Sequence, residues 1–157
     1  MIDTDINNRF MEFRMSDQKF AIPLLYVKEV ISKPEITPMP NMQAHFEGMI
    51  NLRGQIIGIY NIRKRLGAKS KDPADKNKDV IIVIEFENEY FGIIVDEITR
   101  VLTPSPEAID SSPMKEEYPA AKYIDFIIKF EKELILTIRI EKLLDLERKQ
   151  INKPMAA

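Results

Sequence analysis

Cysteine is absent from this chain of 157 residues, and histidine occurs once, at His45. Without cysteine there is no disulfide framework, no thiolate metal site and no cysteine nucleophile. The missing thiols fit a reducing compartment, so we expect a cytoplasmic protein. With neither a ligand cluster nor a phosphate loop, we expect it to need no metal and no cofactor. His45 has no acidic or nucleophilic partner at motif spacing, and an ordinary residue of a short helix explains it better than a base or a ligand does.

Glycine-rich phosphate loops, an excess of basic charge and long apolar runs are also missing. The five glycines form neither GxGxxG nor GxxxxGK[ST], so nucleotide binding has no support. Lys plus Arg (23) nearly balances Asp plus Glu (25), and a net charge of −2 argues against a nucleic-acid partner. Apolar runs such as 80–84 are far shorter than the roughly 20 residues of a spanning helix, so we expect no direct membrane insertion.

The residues that remain are those of a globular β protein. Apolar residues make up 45% of the chain, which is enough to bury a core. Ten prolines outnumber five glycines, and Val and Ile cluster in short runs, a pattern typical of short strands joined by stiff turns. We predict loops at 32–40, 68–78 and 103–119, a short helix at 41–48 and an amphipathic C-terminal helix that starts near Ile140. Strands are predicted at 9–15, 19–25, 55–60, 80–85, 90–95, 123–130 and 134–139.

The strand pattern repeats within the chain. Residues 20–31 align with 91–102 at an offset of 71, which places Phe20 over Phe91. Residues 56–66 align with 134–144 at an offset of 78. This pattern predicts a duplicated β-unit whose two copies leave a groove where they pack, with Phe20 and Phe91 at equivalent core positions. The alternative is that any two β-hairpins look alike.

A single arginine stands out in the segment 48–57. Asn51-Leu52-Arg53-Gly54 joins two apolar strands and places a long cation among apolar neighbours. One interpretation is a turn arginine that packs its stem and keeps its head in water. The other is an arginine anchor at a protein interface, where a planar guanidinium suits a partly apolar groove.

These segments resemble the CheW family of chemotaxis coupling proteins from about Phe10 to Leu146. The most specific part is 48–57, which contains Asn-Leu-Arg-Gly. Three further segments carry the resemblance: Phe20-Ala-Ile-Pro with Val27-Lys-Glu-Val, Ile36-Thr-Pro-Met-Pro-Asn, and Phe91-Gly-Ile-Ile-Val-Asp.

The resemblance implies a mostly β fold of two pseudo-symmetric, five-stranded SH3-like β-barrels in one CheW-like domain over 1–157. The two intertwined lobes would cover about 20–78 and 79–139, with the N-terminal strand and the C-terminal helix packed on them. It also implies an adaptor without catalytic activity that links the regulatory domain of the histidine kinase CheA to the cytoplasmic tips of methyl-accepting chemoreceptors. Positions of the family implicated in receptor or kinase contact correspond to Val27, Glu29, Gly48 and Arg53.

The chain departs from the family pattern at several positions. Gly58 and Asn61 stand where the family usually has proline and aspartate, Asp125-Phe126 replaces a glycine-containing turn, and Arg139 occupies a place often held by Asp or Asn. These departures leave open a scaffold of a pilus or other non-flagellar chemosensory array. Two other hypotheses are an enzyme that uses acids or His45 in the groove between the lobes, and an SH3-like nucleic-acid binder.

Overall fold

The computed structural model describes residues 8–40, 45–63, 65–68, 78–112, 114–118 and 120–143, and the structural statements below concern these residues. They are mostly β, with 3-10 turns at Leu24–Tyr26, Pro106–Ala108 and Ala121–Tyr123 and a helical turn, α1, at 140–143. The strands are β1 Phe10–Met15, β2 Gln18–Pro23, β3 Val27–Ser32, β4 Phe46–Leu52, β5 Gln55–Tyr60, β6 Val80–Phe86, β7 Glu89–Val95, β8 Glu97–Leu102, β9 Ile109–Asp110, β10 Ile124–Phe130 and β11 Glu133–Ile138.

The strands form two sheets that exchange hairpins. Sheet A has the order β8-β1-β2-β11-β10-β9, and sheet B has the order β3-β6-β7-β5-β4. The hairpin β1–β2 from the start of the chain therefore lies in the same sheet as the last strands. The hairpin β6–β7 lies in the same sheet as β3, β4 and β5. In both sheets the central contact is parallel, between β2 and β11 in sheet A and between β7 and β5 in sheet B.

The pairing register reproduces both offsets of the sequence repeat. In sheet A, Phe20 lies opposite Leu136, and in sheet B, Phe91 lies opposite Gly58. Phe91 follows Phe20 by 71 residues, and Leu136 follows Gly58 by 78. Phe20 is fully buried and Phe91 is 4% exposed. The two phenylalanines thus occupy equivalent core positions, and the duplicated β-unit is confirmed.

Three apolar clusters hold the sheets. The largest takes side chains from both sheets, including Phe13 and Phe20 of sheet A and Ile82 and Ile93 of sheet B. A second cluster belongs to sheet B and is built from isoleucines and Val83, and a third belongs to sheet A around Phe10, Ile128 and Ile135. β6 contributes to two clusters because Ile81 and Val83 face one side of the sheet while Ile82 and Ile84 face the other.

The predicted fold class is confirmed, with several corrections of detail. The sheets are open in their hydrogen-bonded order rather than closed into barrels, and sheet A has six strands because the two-residue β9 adds to it. The sheets do not follow the order of the chain, since β2 (Gln18–Pro23) belongs to sheet A and β6–β7 to sheet B, and the intertwined lobes at about 20–78 and 79–139 stay a prediction. The strands β3, β8 and β9 were not predicted as strands.

The two predicted helices have different outcomes. The helix predicted at 41–48 is wrong over Phe46–Gly48. These residues belong to β4 and pair with β5, and their buried and exposed side chains alternate with the period of two that is typical of a strand. Residues 41–44 lie outside the described residues. The C-terminal helix begins as predicted at Ile140, and Ile140 and Leu143 are buried in the large core. Its predicted continuation through Leu144 and Ile151 lies outside the described residues. In the described ranges, none of the helical segments has the length and apolar character needed to cross a membrane.

Candidate functional site

Arg53 lies at the tip of the β4–β5 hairpin. The loop between Leu52 and Gln55 has only two residues, Arg53 with φ 51° and Gly54 with φ 87°. Positive φ angles at both positions suit the right-handed twist of the flanking strands, and they explain the glycine. The side chain of Asn51 accepts a hydrogen bond from the backbone N–H of Gly54 at 2.8 Å. Asn51 and Gly54 therefore fix the turn on which Arg53 is displayed.

Arg53 forms an ion pair with Glu29. One of its guanidinium N–H groups donates to the Glu29 carboxylate. Arg53 is carried by the turn that ends β4, and Glu29 lies on β3, so the pair joins the two edges of sheet B. The Arg53 side chain is 69% exposed, whereas that of Glu29 is 25% exposed. Because the guanidinium remains in solvent, the pair itself contributes only about 0–1 kcal/mol to the stability of the fold.

Val27 lies on the same strand as Glu29. Its side chain is half-buried and packs against the large core, and its backbone N–H donates to the carbonyl of Leu24. The pairing of β3 with β6 skips Lys28, because Val27 lies opposite Ile84 and Glu29 opposite Val83. A bulge of this kind bends the strand and changes where its side chains point. Val27 thus gives the site an apolar element that is anchored in the core.

Gly48 has a backbone role in the same sheet. Its φ is 139°, and a Cβ built on it would lie 2.2 Å from the carbonyl oxygen of Thr37. The neighbouring residue Met49 exchanges two backbone hydrogen bonds of 2.9 Å with Thr37. Only glycine permits this approach. Gly48 therefore holds the segment that follows β3 against β4, which explains the glycine without a partner contact.

Of the four predicted contact residues, Glu29 and Arg53 touch each other directly. Val27 lies two residues before Glu29 on β3, and Gly48 lies on β4, on the strand that leads into the Arg53 turn. All four belong to sheet B. The structure thus places them in one sheet, with Glu29, Arg53 and Val27 contributing side chains and Gly48 contributing backbone conformation.

The equivalent positions in sheet A carry the opposite charges. The offset of 71 places Arg100 where sheet B has Glu29, and the offset of 78 places Glu131 where sheet B has Arg53. Glu131 has φ 55°, nearly that of Arg53, so the turn conformation is kept. Arg100 binds the buried carboxylate of Glu12 at 2.9 Å and lies 4.2 Å from the centre of the Phe130 ring. Sequence reasoning missed this site, although the two offsets predict both positions.

Arg100 and Lys19 both lie close to the carboxylates of Glu12 and Glu133. Lys19 Nζ lies 2.7 Å from the Glu133 carboxylate, and Arg100 lies 3.4 Å from it. The hydrogen bond from Lys19 lowers the pKa of Glu133 below its ordinary value, and the same bond raises the pKa of Lys19. Lys19, Arg100 and Glu133 are partly exposed, so solvent screens the pairs between them, whereas the Glu12 carboxylate that Arg100 also binds is buried.

A buried ionic network lies where the two sheets meet. Arg63, which is 6% exposed, donates to the carboxylate of Asp96 and lies 3.5 Å from that of Asp79. Asp96 also accepts a hydrogen bond of 2.8 Å from the backbone N–H of Ser16, in the β1–β2 turn of sheet A. The network connects residues that follow β5 and precede β6 with the first hairpin. Sequence reasoning missed it, because nothing in the local pattern distinguishes these charges from solvated ones.

His45 directly precedes β4 and forms a hydrogen bond with Arg65. Among the residues that the structure describes, no group of three or more His, Asp and Glu side chains could hold a metal ion. The site around Arg53 offers an exposed guanidinium on a two-residue turn, together with the carboxylate of Glu29 and the apolar side chain of Val27 on β3. Such a surface is suited to recognition of another protein.

The fold defines a class: a duplicated β protein whose two sheets exchange hairpins. Residues 9–148 match the family model described as a CheW-like domain, and the chain belongs to the CheW family. It is similar to the probable chemotaxis protein CheW of Rhizobium etli, with 31% identity over 137 residues that cover 87% of each chain. It is also similar to the chemotaxis protein CheW of Treponema pallidum, with 28% identity over 91% of this chain and 85% of the relative.

A solved structure agrees with this family assignment. The crystal structure of the scaffolding protein TtCheW from Thermoanaerobacter tengcongensis matches with a TM-score of 0.75 and 26% identity. The match covers 85% of this chain and 89% of that one. The sequence resemblance to the CheW family is therefore confirmed, and the chain is a chemotaxis scaffold of this family.

Proposed function

We propose that this chain is a non-catalytic adaptor that couples the cytoplasmic tips of methyl-accepting chemoreceptors to the regulatory domain of a CheA-type histidine kinase. Its family membership and the similarity to a protein titled a scaffolding protein support the adaptor role. The adaptor works in the cytoplasm, where contacts with proteins recruit it to receptor arrays in the membrane. It requires neither metal nor cofactor.

The observation that carries the proposal is the ion pair of Arg53 and Glu29 on sheet B. Arg53 is displayed on a rigid two-residue turn with most of its side chain in solvent. Glu29 holds one side of the guanidinium, so the arginine is already oriented before a partner binds. Arginine is enriched among the residues that dominate protein interfaces, and pre-orientation lowers the entropy lost on binding.

Val27 completes this surface with an apolar contact. Its half-buried side chain is anchored against the large core, so a partner can bury the remaining apolar area without moving the strand. An interface usually combines an apolar centre with a polar rim. In this proposal Val27 supplies the apolar contact, Arg53 supplies the anchor, and Gly48 keeps the backbone beneath them in place.

The mechanism needs only non-covalent contacts. An adaptor that binds both receptor and kinase raises the effective concentration of the kinase at the receptor. If the receptor binds the adaptor–kinase complex differently in its two signalling states, that difference is the free energy that biases the kinase. The adaptor's two sheets would transmit this bias through the apolar cluster that they share.

Reconstitution with a receptor fragment and the kinase tests the proposal. Purified adaptor should increase sedimentation of the kinase with receptor-containing membranes and should raise kinase autophosphorylation, with a dependence on adaptor concentration. The test variant is Arg53→Ala, which removes the guanidinium from the β4–β5 turn. The control is Lys132→Ala, which removes a cation from the exposed β10–β11 turn. A kinase that responds to receptor equally well without the adaptor would overturn the adaptor role.

A further inference from the structure

Three residues of the second repeat meet at one cavity. Asp125, Phe126 and Arg139 line a cavity of about 380 Å³, together with Ser111 and Ser112 after β9. This volume falls within the range of about 300–1,000 Å³ typical of small-molecule sites. The cavity lies on sheet A, away from the Glu29–Arg53 pair of sheet B.

The cavity forms at a bulge in β10. The pairing of β10 with β11 shifts register between Ile124 and Ile127, so Asp125 and Phe126 are displaced from the regular ladder. The hydroxyl of Thr137 accepts a hydrogen bond from the Phe126 N–H at 3.1 Å and donates one to the Phe126 carbonyl at 2.5 Å. Thr137 is almost fully buried, which makes the bulge a built feature of the sheet.

The equivalent position in sheet B carries different side chains. The offset of 78 maps Phe126 onto Gly48, which lies against the backbone of Thr37. Phe126 instead packs its ring edge-to-face on Phe10, with 5.5 Å between the ring centres. The offset also maps the Arg139–Asp125 pair, at 3.2 Å, onto the Asn61–Glu47 hydrogen bond, at 3.3 Å. Sheet A therefore has a guanidinium where sheet B has an amide.

Positive charge outweighs negative charge among the described residues that line the cavity. They include the cations Lys122, Arg139 and Lys142 and one carboxylate, Asp125. Neither Lys122 nor Lys142 forms an ion pair with another residue of the described ranges. Arg139 uses one hydrogen bond for Asp125 and has five N–H donors in total, so it can hold a second oxyanion in addition. The apolar side chains of Met114, Ile124 and Phe126 line the remainder.

We infer that this cavity is a binding site for a small organic anion, a molecule that joins a phosphate or carboxylate group to a compact apolar body. Arg139 and Lys142 hold the anionic group, and Phe126 with Met114 contacts the apolar part. The site is separate from the proposed receptor contact, so it gives the adaptor a place where a metabolite can bind without competing for Arg53.

Titration with phenyl phosphate, monitored by amide chemical shifts of the whole chain, tests the site. Inorganic phosphate tests the anion alone, and benzoate distinguishes a carboxylate from a phosphate. We expect saturable shifts at Ser111, Ser112 and Phe126 with at least one of the two aromatic anions, retained at about 0.15 M ionic strength, where exposed charges are screened beyond about 8 Å. Arg139→Gln should weaken binding about tenfold, as expected for a lost charge-assisted hydrogen bond.

Two variants keep the test interpretable. Lys142 lies on the exposed side of α1, and Lys142→Ala should also weaken binding. This variant tests the site even if Arg139→Gln disturbs folding. Lys132→Ala removes a cation outside the cavity and should leave binding unchanged. Equal weakening by all three variants, equal shifts with inorganic phosphate alone, or no saturable shifts with any of the three anions would overturn the assignment.

Discussion

Phe20 and Phe91 occupy the same place in the two sheets of this protein. Each lies on the second strand of a hairpin, and each faces the last long strand of the other repeat in a parallel pairing, Leu136 for Phe20 and Gly58 for Phe91. Both side chains belong to the large cluster that takes residues from the two sheets. Because the hairpins are exchanged, each repeat folds only on the other, and the chain cannot be divided into two independent sheets at one point.

This symmetry predicts similar losses from the two phenylalanines. Phe20→Ala and Phe91→Ala should each lower the free energy of unfolding by about 3–5 kcal/mol, since both remove a buried ring and leave a cavity. Denaturant unfolding measures both values. Leu134→Ala is the control, because Leu134 is 53% exposed and should change stability by less than about 1 kcal/mol. A loss confined to one phenylalanine would contradict the shared core.

Replacing Gly48 should lower the stability of the fold, because its role is in the backbone and not in a contact with a partner. Gly48→Ala would place a Cβ 2.2 Å from the Thr37 carbonyl oxygen at a φ of 139°, so we expect a loss of about 3 kcal/mol or more. Gly54→Ala is the matched control, because no atom lies within 4 Å of its Cβ position. It should cost only about 1–2 kcal/mol for the left-handed backbone. Thermal unfolding of both variants checks this, and equal melting temperatures would contradict the close approach at Gly48.

The ionic network at the meeting of the sheets predicts a second large effect. Asp96→Asn should destabilise the fold by about 3 kcal/mol, because it removes the carboxylate to which the buried Arg63 donates and leaves only the more distant pairing with Asp79, at 3.5 Å, among the described contacts of that guanidinium. Asp125→Asn removes one partner of the exposed pair with Arg139 and should cost less than about 1 kcal/mol. Urea unfolding separates the two. If Asp125→Asn were as damaging as Asp96→Asn, burial would not explain the effect.

Glu133 predicts a pH effect of defined sign. Its pKa in the folded chain is lowered from 4.5, chiefly by the hydrogen bond from Lys19. A carboxyl group of this kind stabilises the fold above its ordinary pKa, and this contribution is lost as the pH falls through the lowered value. Lys19→Gln should move the Glu133 pKa up toward its ordinary value, as measured by carboxyl carbon NMR. Lys132→Gln should leave it unchanged, and the same upward shift in both variants would rule out the Lys19 bond as the cause.

The repeat could be predicted from the sequence because apolar alternation and two constant offsets are local patterns. Phe20 over Phe91 and the Arg53 turn between two strands both follow from such patterns. The exchange of hairpins could not be predicted in this way, since it depends on which strand completes which sheet. The offsets predict that β2 and β7 are equivalent strands, but they do not predict which sheet each strand joins.

The candidate site was predictable to a similar extent. Asn51, Arg53 and Gly54 form a turn whose chemistry is visible in the sequence. The contact of Arg53 with Glu29 spans 24 residues and two edges of a sheet, so it appears only in the fold. The helix predicted at 41–48 was wrong over Phe46–Gly48 for the same reason, because neither the pairing of β4 with β5 nor the close approach of Thr37 to Gly48 shows in the local sequence.

A charge swap between Glu29 and Arg53 separates the contact with a partner from the contact within the chain. Arg53→Glu alone should lower receptor binding by about 2 kcal/mol, or roughly thirtyfold, and stability by less than about 1 kcal/mol. The turn accepts glutamate, since Glu131 occupies the equivalent position in sheet A with nearly the same φ. The double variant Glu29→Arg with Arg53→Glu restores an ion pair with reversed charges and should recover the lost stability.

The most direct measurement is therefore kinase autophosphorylation in receptor-containing membranes, titrated with wild-type adaptor and with the Glu29→Arg, Arg53→Glu double variant. The account predicts that the double variant unfolds at the wild-type temperature, yet needs at least about tenfold more protein to reach the same kinase activity, because the partner meets reversed charges. Wild-type stability together with wild-type activation would contradict it, and would make Glu29 and Arg53 a structural pair of the turn.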